Sequence, residues 1–289
     1  MTSQAGNRVT NKLLGYPDEA RLLLINADDF GMYQAINEAV VRAFAEGIVR
    51  STSLMVPCPG ATQAMQLLGD HPTIRFGVHL SVIRDIASSD WGPLTPNDRV
   101  PSLLNAEGMF YDTGQMSEML ERAAVDELET EFRAQIEVVL TANLRPTHLD
   151  WHCLHSGGRA DVFEMTLGLA KEYGVALRVA SQPFIDQVQR QGLPTVDFDL
   201  LDSFRTAPED KPARYAELLR ALPEGLSEWA VHPSLGTIES QAMDPDGWRV
   251  RRADFEFLIS PAAREMIERE GIALISYEPL KAVWRGGSS

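Results

Sequence analysis

Seven side chains in this 289-residue sequence have the types and spacing for hydrolytic chemistry. Asp28 and Asp29 are adjacent, at the end of the apolar run Leu22-Leu23-Leu24-Ile25. His79 closes a second apolar stretch, and His232 a third. His148, Asp150 and His152 are spaced by two, so along a strand they share one face. Isolated buried carboxylates are costly, so a pair at the mouth of an apolar strand should bind or titrate something. A single Asp there could serve as an N-cap for a helix starting near Tyr33. A pair, together with histidines, reads as chemistry. Two imidazoles and a carboxylate with open positions suit a divalent catalytic metal, which acidifies water and polarises a carbonyl oxygen. A carboxylate between two imidazoles can orient one of them through its second nitrogen. The remaining Asp is then free to take a proton.

These residues need a scaffold that brings distant strand ends together. The run at 22–25 predicts a strand covered on both faces. A helical face follows (Ala35, Ile36, Ala39, Val40, Ala43, Phe44), stopped at Gly47. Strands are predicted over 49–56, 74–80, 146–152, 176–180, 229–232 and 272–277, with helices between them. That alternation predicts an α/β fold, a distorted (β/α) barrel of TIM type with six or seven parallel strands. In such folds the loops after the strands converge at the C-terminal end, where the seven candidate residues lie. A polar stretch over 84–114 reads as a lid, and a long helix is expected over 116–142. Residues 181–210 give no clear periodicity. A helix over 249–270 is expected to break near Pro261. One barrel domain is expected over 21–285, after a mobile tail over 1–20.

Composition removes several classes of function. The net charge is -15, from 26 basic and 41 acidic residues, which argues against nucleic acid or an anionic membrane as partner. Two cysteines make no disulfide framework and suit a reducing cytosol. No segment has the length and apolarity of a signal peptide or a membrane span. A soluble, cytoplasmic protein is expected.

Asn26-Ala27-Asp28-Asp29-Phe30-Gly31, Gly77-Val78-His79-Leu80, Pro146-Thr147-His148-Leu149-Asp150-Trp151-His152 and His232-Pro233 occur in that order. In this the sequence resembles the YdjC-type (ChbG/HpnK) carbohydrate deacetylases over about residues 21–278. The resemblance implies a distorted barrel and metal-dependent removal of N-acetyl groups from an amino sugar or short N-acetylated oligosaccharide. It implies one divalent ion (zinc, magnesium, cobalt or similar) held by Asp29, His79 and His152, with Asp28 as general base and His232 as the acid protonating the leaving amine. Asp150 and His148 then act behind the ligands. The pattern departs after His152, where Leu154 replaces a later histidine and His155 falls out of phase, so the substrate pocket should differ. Relatives of this kind are commonly dimers, and a homodimer is an expectation here.

Around this site Trp91, Trp151, His155 and Arg251 are candidate substrate contacts. Three arginines at 249, 251 and 252 otherwise read as a solvated helix face. Cys153 should point away from His152 and act as a buried filler. Two other readings keep the residues and change the role: a metal-dependent phosphoesterase, and a sugar-binding protein without turnover.

Overall fold

The computed structural model describes residues 9–86 and 91–286. Among the described residues ten strands run in chain order: β1 (Arg21–Phe30), β2 (Ser51–Leu54), β3 (Phe76–Leu80), β4 (Ile83–Arg84), β5 (Tyr111–Asp112), β6 (His148–Trp151), β7 (Ala176–Leu177), β8 (Leu201–Asp202), β9 (Gly225–Val231) and β10 (Ala273–Ile275). Seven form one parallel sheet in the order β7-β6-β3-β2-β1-β9-β8, and β10 joins through the first half of β1. The sheet curls into a half-barrel with helices between its strands, the distorted α/β barrel expected from the sequence. Across the gap between β7 and β8, the Leu200 amide donates to the Ala180 carbonyl at 2.8 Å.

β1 is the axis of the fold. It pairs with β9 on one edge and with β10 and then β2 on the other. Leu22, Leu23, Leu24 and Ile25 are fully buried, and each such side chain contributes roughly 1.5–3 kcal/mol of burial free energy. The pairing with β2 slips between Ala27 and Phe30. Within that slip Asp29 takes φ +68°, a left-handed conformation uncommon outside glycine. The helix Gln34–Glu46 begins after Tyr33, with no side-chain cap, so neither aspartate acts as its N-cap.

Several boundaries differ from expectation. The mobile tail expected over 1–20 is corrected for residues 9–20. Val9–Leu14 is a helix, the Asn11 amide donates to the Pro17 and Ala20 carbonyls, and the Thr10 hydroxyl donates to the Thr195 carbonyl. Polar side chains anchor this segment, which hydropathy does not register. Residues 1–8 and 287–289 lie outside the described residues. The long helix expected over 116–142 is two, Met116–Arg122 and Val125–Thr141. The stretch 84–114 carries β5, which pairs with β4, and two short 3-10 turns; residues 87–90 of it lie outside the described residues. Near the C-terminus the break falls as expected, between Trp248–Leu258 and Pro261–Arg269. No helix among the described residues is long and apolar enough to cross a membrane.

β3 and β6 meet closely because residue 77 is glycine. A Cβ there would lie 2.5 Å from the His148 ring, which is itself stacked on Tyr277 with centroids 3.7 Å apart. The ring has nowhere to retreat, so Gly77→Ala is expected to destabilise the fold by about 1–3 kcal/mol, read as a lower urea midpoint at unchanged slope.

Candidate metal centre and the cavity above it

The candidate residues converge at the C-terminal end of the sheet, each delivered by the end of a strand. Asp28 and Asp29 come from β1, His79 from β3, Asp150 from β6 and His152 from the residue after it. His232 follows β9 directly. The register pairs His79 with Asp150 across β3 and β6. Asp29 Oδ1 lies 3.5 Å from His79 Nε2 and 3.3 Å from His152 Nδ1. The ligand atoms of Asp29, His79 and His152 all lie within 4.8 Å of one another. The two Asp29–imidazole separations match the edges of a tetrahedral shell with bonds of ~2.0–2.2 Å, so the trio fits a divalent ion. The other Asp29 oxygen, Oδ2, accepts from Arg251 Nη1 at 2.6 Å. That bond fixes which oxygen faces the imidazoles.

Each imidazole has a carboxylate on its second nitrogen, the usual arrangement behind a metal-ligating histidine. Asp150 Oδ1 is 2.9 Å from His79 Nδ1, and Asp85 Oδ1 is 3.3 Å from His152 Nε2. Asp150 therefore orients the histidine on the neighbouring strand, not His152 on its own. Its other oxygen lies 3.6 Å from His148 Nε2, and His148 is fully buried against Tyr277.

Two buried arginines organise the acids. Arg178, just past β7, contacts Asp28, Asp150 and Glu228; Arg251 contacts Asp29, Asp85 and Asp244. The grip on Asp28 is bidentate, 2.8 Å to each oxygen, and the Asn26 amide adds 2.7 Å to Oδ1. Burial alone would raise the Asp28 pKa, but Arg178 outweighs it and holds the carboxyl below its ordinary range. Burial likewise opposes charge on Asp29, and Arg251 with the two histidines pulls its pKa well down. Three carboxyls per guanidinium leave an excess of negative charge that a cation would offset.

The imidazoles respond to the same field. Burial lowers the His79 pKa, but Asp150, Asp29 and Asp28 together push it up to about 9. His152 is raised well above its usual value in spite of burial, through Cys153, Asp85 and Asp29. A cation must displace these protons. Calorimetry in buffers of different ionisation enthalpy is therefore expected to show about two protons released per divalent ion near neutral pH. Release of none would mean that both histidines are already neutral in the metal-free protein. Affinity should fall as pH drops, because protons then compete for the same nitrogens.

Above the trio opens a cavity of about 440 Å³, lined among others by Asp28, Trp151, His155, Phe204 and His232. The Trp151 side chain lies in its wall, with Nε1 toward Thr166 at 3.3 Å. Trp91 is corrected as a sugar contact: it is buried, does not line the cavity, and packs its ring 5.9 Å from His152 and 6.5 Å from Phe110. Arg251 is corrected too. It is neither on a solvated face nor free to grip an acidic substituent, because it is 1% exposed and committed to three carboxylates. The Cys153 expectation also fails: the strand ends at Trp151, Cys153 takes φ +60°, and its sulfur turns to 3.3 Å from His152 Nε2.

Sequence reasoning missed Arg178, Asp85 and Phe204. Arg178 had a signal, a lone charge within Ala176–Ala180; Phe204 lay in the stretch without periodicity. The residue is 37% exposed, and its ring meets His232 edge to face at 5.2 Å.

The sequence pattern of the family described as YdjC-like protein matches residues 22–269. A protein of Enterococcus faecalis named carbohydrate deacetylase is 30% identical over 273 residues, covering 89% of this chain and 97% of that one. One of the same name from Thermoanaerobacter pseudethanolicus is 28% identical over 264 residues, covering 90% and 100%. A crystal structure from E. faecalis V583, titled for cellobiose-phosphate cleavage, superposes with a TM-score of 0.77 at 29% identity, covering 90% of this chain and 99% of that one.

Proposed function

The chain belongs to the YdjC-like protein family, and from that premise we propose that it removes N-acetyl groups from an amino sugar or a short N-acetylated oligosaccharide, with one divalent ion. The observation that carries this reading is the opening of Asp28, the Asp29–His79–His152 trio and His232 onto one cavity. The names of the relatives supply the substrate class. Asp29, His79 and His152 would hold the ion, which supplies acidification of water and polarisation of the amide carbonyl.

The chain's own groups then handle the protons. Asp28 is ionised throughout the physiological range, since Arg178 holds its pKa low. Arg178, Asn26 and Ser53 donate to it, and of these only Arg178 reaches Oδ2. One position on Oδ2 remains for a proton drawn from water. His232, when cationic, gives a proton to the departing nitrogen, so the amine leaves neutral. Water is consumed, the acid formed passes its proton to the freed amine in solution to give acetate, and the proton on Asp28 restores His232 through solvent.

The cavity walls bear on the sugar. Phe204 offers an exposed ring beside His232, and the C–H face of a sugar packs against such a surface. Phe204→Ala is expected to raise KM about three- to tenfold with kcat nearly unchanged, read from steady-state kinetics. A kcat effect without a KM effect would remove it from substrate binding.

The deciding experiment measures acetate release from N-acetylated amino sugars before and after chelation and metal restoration. Metal-dependent acetate supports the proposal. Phosphate release from sugar phosphates would favour a phosphoesterase, and sugar binding with no product would favour a binding protein.

A further inference from the structure

We propose that Ser203 and Asp254 are positioning residues that fix the tautomer of His232, an inference that deepens the acid role assigned above and rests on it for its catalytic meaning. Asp254 lies on Trp248–Leu258 and is fully buried. Its Oδ1 accepts from the Lys211 ammonium and the Tyr215 hydroxyl. Its Oδ2 accepts from the Ser203 hydroxyl at 2.5 Å and from the His232 backbone amide at 3.0 Å. A carboxylate has about four acceptor positions, and all four here face donors.

Ser203 Oγ also lies 3.2 Å from His232 Nδ1. A hydroxyl carries a single proton. Because Asp254 only accepts, that proton points to Oδ2, and the Ser203 oxygen must accept from His232. Nδ1 therefore carries a hydrogen. The other group near it, Asp202 Oδ1 at 4.0 Å, is an acceptor as well. Neutral His232 then has its lone pair on Nε2, the nitrogen not engaged by Ser203, and the cationic ring adds its labile proton there. Ser203 thus decides which nitrogen exchanges protons.

The same helix ties this relay to the metal trio. Arg251, one turn before Asp254, holds Asp29 Oδ2. Ligand and acid are set by one element from two positions on one face.

The test is a nitrogen-15 spectrum of the full chain labelled at histidine, with the His232 signals assigned by their loss in His232→Gln. Expected for the wild type is a neutral ring with protonated Nδ1 and bare Nε2. In Ser203→Ala the tautomers mix and kcat falls about tenfold, with KM within twofold; Ser203→Thr, which keeps the hydroxyl, restores most of the loss. A wild-type ring protonated on Nε2 overturns the inference, whatever the kinetics. If His232→Gln keeps full turnover while the wild-type spectrum shows Nδ1–H, the acid role falls and the tautomer assignment stands.

Discussion

Asp28→Asn is expected to lower acetate release by about 10²–10⁴-fold while a divalent ion still binds at one per chain. The substitution keeps the shape and removes the charge that accepts the proton. The ligand trio is left intact, because Asp29, His79 and His152 carry their own supports in Arg251, Asp150 and Asp85. The low pKa of Asp28 makes it a weak base in isolation. Under the proposed mechanism it would suffice because an ion held by the trio would acidify the water, so base and ion should fail together in kinetics but separately in binding. Its protonation should also not set the acid limb of the pH profile. That limb should instead follow the histidines: protons compete with the ion at His79 as pH falls below about 9, and His152 is raised well above its usual value too. Near-normal turnover in Asp28→Asn, with metal bound, would sink the base assignment.

The parts of this site that the sequence announced are those fixed by alternation and strand ends. Leu22–Ile25 had to be a buried strand, and the residues after it had to emerge at the end where loops converge. The two-residue spacing of His148, Asp150 and His152 gave a shared face, but not the partner across the sheet. That depended on the register with β3, which sets Asp150 against His79. Arg251 looked like surface because it stands among arginines on an amphipathic helix. What buries it is the aspartate that arrives from β1, 222 residues away in sequence. Likewise Asp85 acquires a role only through its approach to His152. Cys153 turned the other way because alternation ends where the strand does. Local periodicity reports which faces are covered, whereas charge partners are chosen by tertiary approach.

Arg178→Met should show what the arginine does for the fold as well as for the site. Its guanidinium is shared by Asp28, Asp150 and Glu228, all buried. Removing one member of a buried ion cluster leaves charge uncompensated, and the expected loss of stability is roughly 3–5 kcal/mol. Methionine fills much of the same volume, so a cavity is not the main term. The sign with pH follows from the carboxyls. In the wild type Asp28 and Asp150 have pKa values depressed below the unfolded value in spite of burial, so their contribution is present above about pH 4 and fades on acidification. Glu228 is the reverse: burial raises its pKa even beside Arg178, so its cost grows as pH rises. Without Arg178 all three shift upward, and each costs most where it is ionised. The difference in unfolding free energy between wild type and Arg178→Met should therefore be largest near neutral pH and shrink on acidification through about pH 4. Turnover should fall too, because Asp28 loses the two bonds that aim its free oxygen. Equal destabilisation from pH 8 down to about pH 3 would mean that Arg178 acts through packing alone, and the electrostatic account of this cluster would have to be given up.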